Sequence, residues 1–506
     1  MSVHNFTFYD VIRRNAKCFR NYPTWKEASN NSTVTFGEFK DMVDRLATGL
    51  QKAGLQRGDR ICVLGRNSFE YFLIYGAASV LGGIVLAINW RLSADEIMHN
   101  VIDASPRFFF IDREFEDLVK GIKDSLPSVE RYYSLSGKGG SFSNFRQLLE
   151  NGKDFIPAKV SPDDGLYIMH TAAVTGQPMG ALVSQGNLLY STTQLSCLFN
   201  LSPKDACITI LPLFHTAGLW VAMTAFHAGA LIVNIPKFEA EQVVQLIEKE
   251  KISYFFSFSP ILTSILEQQE KVNADISSLR RVLGLESHEA IDRYQELTNG
   301  MFFPGYGQTE VCSFVTMGQY NGKQGFAGRP VPLADVRVVD ENDQELPPGK
   351  VGEIVAKGPM VFKGYWNRAG LNEKKFRGSW YHTGDMGRFD EQGSLWYVGR
   401  KAEKDLIKSG GENVYPVEVE ETILQHPAVA KAVVFGLPDP KWGETIKAVC
   451  QLKEGQSLEA QDLIDFVAQR IARYKKPHHV VFVEALPLLN DGSADRTKVK
   501  VQYGSG

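Results

Sequence analysis

The chain has no paired cysteines, no cluster of basic residues and no uninterrupted apolar run of membrane length. Its six cysteines, Cys18, Cys62, Cys197, Cys207, Cys312 and Cys450, lie far apart and form no Cys-x-x-Cys pair. That excludes the common structural zinc patterns and a disulfide framework, and it fits a reducing cytoplasm. The formal charge is −3 and the basic residues are scattered, which leaves no footprint for nucleic acid or an anionic membrane. The most apolar stretch, "YFLIYGAASVLGGIVLAIN", is near the roughly 20 residues that a membrane span needs. Gly82 and Gly83 split it, so a buried helix followed by a buried strand accounts for it, and no integral membrane segment is expected. The N-terminus lacks the continuous apolar core of a signal peptide and reads as a short amphipathic helix. One further absence is local. No Lys or Arg occurs between Asp164 and Gly186, although "MHTAAVTGQPMGALVS" has the small, turn-rich texture of a phosphate-binding loop.

What is present is an ordinary globular composition, 44% hydrophobic and 22% charged over 506 residues, room for two or more domains. Helical and strand patterns alternate through the first two-thirds. "TFGEFKDMVDRLATGLQKAGL" and "AEQVVQLIEKEK" have apolar residues at helical spacing, whereas "DRICVLG", "GIVLAIN", "DACITILP", "GALIVNI" and "YFFSFSP" read as buried strands. Continuous apolar strands between helices predict an α/β fold with largely parallel sheets, covered on both faces. From about Val336 the pattern changes to hairpins, "DVRVVDENDQELPPGKVGEIVAKG" and "GRFDEQGSLWYVGR", which predict a small antiparallel β unit. An α+β tail follows, with strands "KAVVFGL", "IKAVCQL" and "HHVVFVEAL". The expected boundary gives a large N-terminal domain over 1–400 and a smaller C-terminal domain over 401–506.

Four stretches carry chemistry. In the first, Thr171, Thr175 and Gly176 offer hydroxyl and backbone N–H groups in a turn, which can cradle phosphate oxygens. The second, "GYGQTE", places Gly305, Tyr306, Gly307 and Gln308 ahead of Thr309 and Glu310; glycines let backbone approach a ligand, and a hydroxyl beside a carboxylate suits phosphate and a hard cation such as Mg²⁺. In the third, Asp385 sits in a Thr-Gly-Asp turn and Arg400 follows the strand "WYVG"; an Asp so presented can accept a pair of ribose hydroxyls. The fourth, "LPLFHTAGL", holds His215 in an otherwise apolar turn, where a packed histidine is the ordinary outcome.

Taken together, the order and spacing of these stretches resemble the adenylate-forming acyl-CoA synthetase family, which also includes luciferases and peptide-synthetase adenylation domains. The likeness runs from "TFGEFKDMVDRLATGLQKAGLQRGDRICVL" to the C-terminal tail, and "SGGENVYPVEVE" points to the CoA-ligase branch. The resemblance implies a two-step reaction of a carboxylic acid, ATP and coenzyme A, with Mg²⁺. The acid first forms an acyl-adenylate and pyrophosphate; a mobile C-terminal domain then rotates and CoA displaces AMP. It places Tyr306 against adenine, Thr309 at the α-phosphate, Glu310 on Mg²⁺, and Asp385 and Arg400 at the ribose. Gly410 and Gly411 match the loop lining the pantetheine path, Lys404 falls near the hinge, and His215 matches a gate beside the acyl pocket.

Two departures stand against that pattern. Relatives carry a loop of the form T-S-G-T-T-G-x-P-K-G; here Ala172, Ala173, Val174 and Met179 replace its Ser, Gly, Thr and Lys. Near the C-terminus relatives end in L-P-x-T-x-x-G-K-x-x-R, and "LPLLNDGSADR" keeps Gly492 and Arg496 in register but puts Ser493 at the lysine. The segment "VLGLESHEAIDRY" also lacks the usual pattern near adenine. Apolar, bulky residues around Trp220 and in "FSFSPILTSIL" predict a medium-chain, cyclic or aromatic acid.

Overall fold

Two largely parallel sheets carry the N-terminal two-thirds of the chain. In the computed structural model, which describes residues 3–136, 140–171, 178–401, 406–439, 442–489 and 494–504, the first sheet has eight strands. Their order is Gly364–Tyr365, Met179–Ser184, Gly165–Thr171, Ile84–Ala87, Arg60–Leu64, Phe108–Ile111, Arg131–Ser134 and Ser143–Asn144. Pairing is parallel from Gly165–Thr171 onward and antiparallel before it. The second sheet runs Met301–Phe303, Arg281–Leu285, Tyr254–Phe258, Ala206–Ile208, Leu231–Asn234, Pro23–Glu27 and Thr33–Thr35, with only the last pair antiparallel. Burial on both faces explains why these strands read as unbroken apolar runs.

The helices follow local rules. Phe36–Lys52 begins at Thr35, whose hydroxyl accepts the Glu38 N–H while Glu38 reaches back to the Thr35 N–H, a reciprocal cap. Its Phe36 and Phe39 rings, with Phe8 and Phe72, surround Phe226 at centroid distances of 5.0–5.8 Å. The apolar run that approached membrane length divides as expected. It forms the buried helix Phe69–Leu81, stopped by Gly82 at φ +69°, and then the strand Ile84–Ala87. Among the described residues no helix is long and apolar enough to cross a membrane.

Asp335–Val339, Gly352–Lys357, Tyr381–Phe389 and Leu395–Arg400 form a four-stranded antiparallel sheet. Beyond it the strands Glu412–Val414, Ile407–Ser409, Gly443–Leu452, Val429–Asp439 and His479–Val483 form a separate five-stranded sheet. The helices Pro416–Leu424 and Ala460–Ala468 give that sheet a core of its own, built on Val419, Ile423, Val434, Ile446, Leu463 and Val467. The architecture is thus mixed α/β, with a large N-terminal domain and a small C-terminal one.

Candidate functional site

The site gathers side chains from the eight-stranded sheet, from a small three-stranded antiparallel sheet and from the four-stranded antiparallel one. The strand Gly165–Thr171 delivers Thr171, whose hydroxyl donates to Glu310 Oε1 at 3.4 Å. Glu310 lies in a single turn of 3₁₀ helix, Thr309–Val311, directly after the strand Gly305–Gln308. It is buried, and Tyr365 Oη donates to the same Oε1 at 2.8 Å. One carboxylate beside one hydroxyl suits Mg²⁺, which keeps several waters and takes substrate phosphates for its other ligands. No group of three His, Cys, Asp or Glu side chains among the described residues forms an all-protein cage. Thr175 and Gly176 lie outside the described residues.

A second cluster centres on Asp385. The strands Tyr381–Phe389 and Leu395–Arg400 place Asp385 directly opposite Arg400, with Arg400 Nε 3.7 Å from Asp385 Oδ1. Tyr306 Oη donates to Asp385 Oδ2 at 2.8 Å. Gln308 Nε2 donates to the same oxygen, and Gln308 Oε1 accepts from Tyr381 Oη at 3.0 Å. Burial, with Asp385 beside it, holds the Tyr306 phenol well above the ordinary tyrosine range, so it stays a proton donor. Its ring is stacked on Tyr397, centroids 6.1 Å apart.

The two glycines of Gly-Tyr-Gly have a nearer cause than the ligand approach expected from sequence. A Cβ at Gly307 would come within 1.6 Å of the Ser313 carbonyl oxygen, and one at Gly305 within 2.6 Å of that of Thr316. The neighbouring strand Ser313–Met317 demands both.

His215 starts the helix Thr216–Ala228, but its environment is polar on one side. Its Nε2 lies 3.1 Å from Glu412 Oε1, a residue of the C-terminal sheet. Glu412 also accepts from Arg91 Nη1 at 2.8 Å and Asn89 Nδ2 at 3.2 Å. Burial pushes its carboxyl up, yet His215 and Arg91 outweigh that and hold it below the usual carboxylate range. The preceding turn, Gly410 at φ +58° and Gly411 at φ +83°, faces the N-terminal domain, and a Cβ on Gly411 would sit 3.6 Å from Phe258. Glu412 was missed in sequence because "SGGEN" drew attention to its glycines. Lys404 lies outside the described residues, between Lys401 and Leu406.

The departures from the family pattern also have places. Met179 pairs directly with Thr171 across the hairpin, so a lysine there would start from the same end. Met179→Lys is expected to lower the KM for ATP about tenfold, the effect of one charge-assisted bond; steady-state kinetics at fixed acid would show it, and an unchanged KM would count against the loop holding phosphate. Glu286, in "GLES", accepts from Ser257 Oγ at 2.5 Å and from the Leu262 N–H at 2.9 Å. Burial nevertheless raises its carboxyl to about 7. The folded chain therefore binds a proton there that the unfolded chain has released, and stability falls as pH rises from the ordinary carboxylate range to about 7. Glu286→Gln is expected to melt about 2–4 °C above the parent at pH 8. At pH 5, where Glu286 is itself neutral, the two should melt together. A gain of equal size at both pH values would refute the assignment.

Comparison with known proteins adds to this geometry. The pattern described as "AMP-binding enzyme" matches residues 12–366, and that described as "AMP-binding enzyme C-terminal domain" matches residues 418–492. Indoleacetate–CoA ligase of Aromatoleum aromaticum is 33% identical over 475 residues, covering 92% of each chain. Feruloyl-CoA synthase of Amycolatopsis sp. is 31% identical over 486 residues, covering 94% of each. A double mutant of o-succinylbenzoate CoA synthetase from Bacillus subtilis, solved with a product analogue, superposes with a TM-score of 0.84 at 27% identity, covering 98% of this chain and 99% of its own.

Proposed function

Since the chain belongs to the adenylate-forming AMP-binding enzymes, in their acyl-CoA synthetase branch, we propose that it converts a medium-chain, cyclic or aromatic carboxylic acid to its CoA thioester through an acyl-adenylate, with a weakened first step. An oxygen of the acid bonds to the α-phosphorus of ATP as the bond to pyrophosphate breaks. The CoA sulfur then bonds to the acyl carbon as the bond to AMP breaks. Asp385 and Arg400 hold the ribose, Tyr306 lies along the adenine, and Thr171 and Thr309 face phosphate. Glu310 would hold Mg²⁺, which when bound neutralises phosphate charge. The division at residue 400 fits this cycle, since each step calls for a different placement of the C-terminal domain.

The observation that carries the reading is the seating of the Gly410–Gly411 turn against Phe258 with Glu412 on His215. That placement turns the pantetheine-path loop toward the acyl side, which suits thioester formation. Glu412→Ala is therefore expected to slow thioester formation from a preformed acyl-adenylate about tenfold or more, as loss of one partner of a buried charged pair does. Pyrophosphate release should stay within about twofold of the parent on the same reasoning. Equal slowing of both steps would sink this reading of the orientation.

The activity itself is tested by pyrophosphate release from ATP and Mg²⁺ with a panel of carboxylic acids, with and without CoA. Turnover with one acid class establishes the ligase. Met179 and Ser493 favour a second reading, a protein that binds an acyl-adenylate or acyl-CoA with adenylation impaired; silence across the panel, with acyl-CoA still bound, would select it.

A further inference from the structure

The helices Gln185–Leu198 and Thr216–Ala228 pack side by side, and each buries a side chain with a polar atom. Gln194 is 5% exposed and Trp220 is 3% exposed. Gln194 Oε1 accepts the Leu333 N–H at 2.8 Å, which fixes the amide and turns Nε2 the other way. Neither Gln194 Nε2 nor Trp220 Nε1 has a hydrogen-bond partner among the described residues. Both side chains line one cavity of about 10 Å³, with Ser191, Phe314 and Met317 among its walls. That volume admits one group the size of a water molecule. A wider cleft of about 360 Å³ adjoins it through Leu198, Met317 and Val331, which line both.

A chain of aromatic contacts joins the cavity to the Gly410–Gly411 turn. Phe258, beside the Gly411 turn, packs on Phe256 at 4.9 Å between centroids; Phe256 meets Phe314 at 5.4 Å, and Phe314 meets Trp220 at 5.8 Å. An aromatic wall thus runs from the C-terminal turn to the two donors. Trp220 is also on the helix that His215 begins, about 7.5 Å of helix rise further on, which is the span of a para-substituted phenyl ring or of roughly five or six chain carbons.

We propose that Gln194 Nε2 and Trp220 Nε1 form a two-donor subsite that selects carboxylic acids bearing a neutral oxygen acceptor, a carbonyl or hydroxyl, at the end remote from the carboxyl group. The inference rests on the ligase reading above and narrows its substrate class. Two unpartnered N–H donors on side chains that line one small, mostly apolar pocket call for an acceptor. No cation lines the small cavity, so a second carboxylate would be buried without a partner. A trapped water could accept from both donors and give one proton to Ser191 Oγ, which itself donates to the Cys312 carbonyl at 2.6 Å, but among the lining side chains its second proton would meet only Gln194 Oε1, already bonded to the Leu333 N–H, or the weak Met317 sulfur. A carbonyl oxygen brings no such protons, and a hydroxyl brings one, which Ser191 Oγ can accept.

The test pairs acids that differ only at the far end: 6-oxoheptanoate with heptanoate, and 4-hydroxyphenylacetate with 4-methylphenylacetate. Calorimetric binding and kcat/KM for pyrophosphate release are read for each. Preference for the oxygenated partner by about 100-fold or more is expected, because a site built to hydrogen-bond an oxygen rejects the analogue without it. Trp220→Phe keeps the ring against Phe314 and removes one donor. Gln194→Glu keeps the acceptor for Leu333 and turns the other donor into an oxygen. Each should lower the preference about tenfold or more. Equal binding within both pairs, or a preference that survives both substitutions, overturns the proposal. Selective binding without pyrophosphate release would uphold the subsite and refute the ligase reading instead.

Discussion

Changing Ser493 to lysine is expected to raise ATP-dependent pyrophosphate release by ~10²–10³-fold, equivalent to about 3–4 kcal/mol of transition-state stabilisation from one placed charge. The expectation comes from register in "LPLLNDGSADR", since residues 490–493 lie outside the described ones. What flanks them is well held. Leu488 and Ala494 form a bridge, the Asp495 N–H donates to the Pro487 carbonyl at 2.8 Å, and Asp495 caps the helix Arg496–Tyr503. Two nearby cations, Arg496 and Lys498, are engaged within the C-terminal domain. Arg496 donates to Glu420 at 2.6 Å and to the Val434 carbonyl at 2.9 Å, and Lys498 pairs with Asp495 at 3.1 Å. The reverse reaction, ATP formation from acyl-adenylate and pyrophosphate, should accelerate by the same factor because both directions share one transition state. Thioester formation from a supplied acyl-adenylate should change little. An unaltered pyrophosphate rate would mean that another group already supplies the charge.

Lys475→Met should release the C-terminal domain from its present seat. Lys475 is 3% exposed in its side chain and sits between Glu96 of the large domain and Glu418 of the small one. Glu96 also accepts the Ala472 N–H at 3.0 Å, so the contact spans the domains twice. Burial pushes the Glu418 carboxyl up, with Lys475 opposing, whereas Lys475 and the Ser93 bonds outweigh burial at Glu96 and hold it down. Without the ammonium, two carboxylates would face each other in a dry interface, at a cost of about 3–5 kcal/mol to the seated form. The expected results are a larger radius of gyration by small-angle scattering and a slowed thioester step, with pyrophosphate release preserved. Adding Glu96→Gln should restore part of the loss, because it removes the charge left unpaired. Unchanged scattering and thioester rate in Lys475→Met would show that this contact does not set the orientation.

Sequence reading recovered what depends on neighbours along the chain. The buried strands announced themselves because parallel sheets leave no solvent face to alternate toward, and Gly82 marked a helix end because only a left-handed residue could stop it there. Asp385 and Arg400 were legible as a pair since a single hairpin brings them together. The contacts across the domain boundary were not. Glu412 meets His215 from 197 positions away and Lys475 meets Glu96 from 379, and no local pattern marks such partners. The glycines at 305 and 307 were noticed for a ligand when a neighbouring strand is what excludes a side chain. Gln194 gave no signal at all, being one polar residue on a helix, until its amide proved to be turned by Leu333.

Glu96 has a further consequence for how fast the domains can meet. Its carboxylate is already committed within its own helix cap, accepting the Ser93 N–H at 2.6 Å. A free glutamate surrenders up to about 1.5–2 kcal/mol of rotamer freedom when it is immobilised, and here helix formation has imposed that loss beforehand. The arriving domain meets an acceptor that is preset rather than one that must be caught. Lys475, the long flexible partner, is left to do the searching, so the entropy barrier to closure falls on one side of the interface.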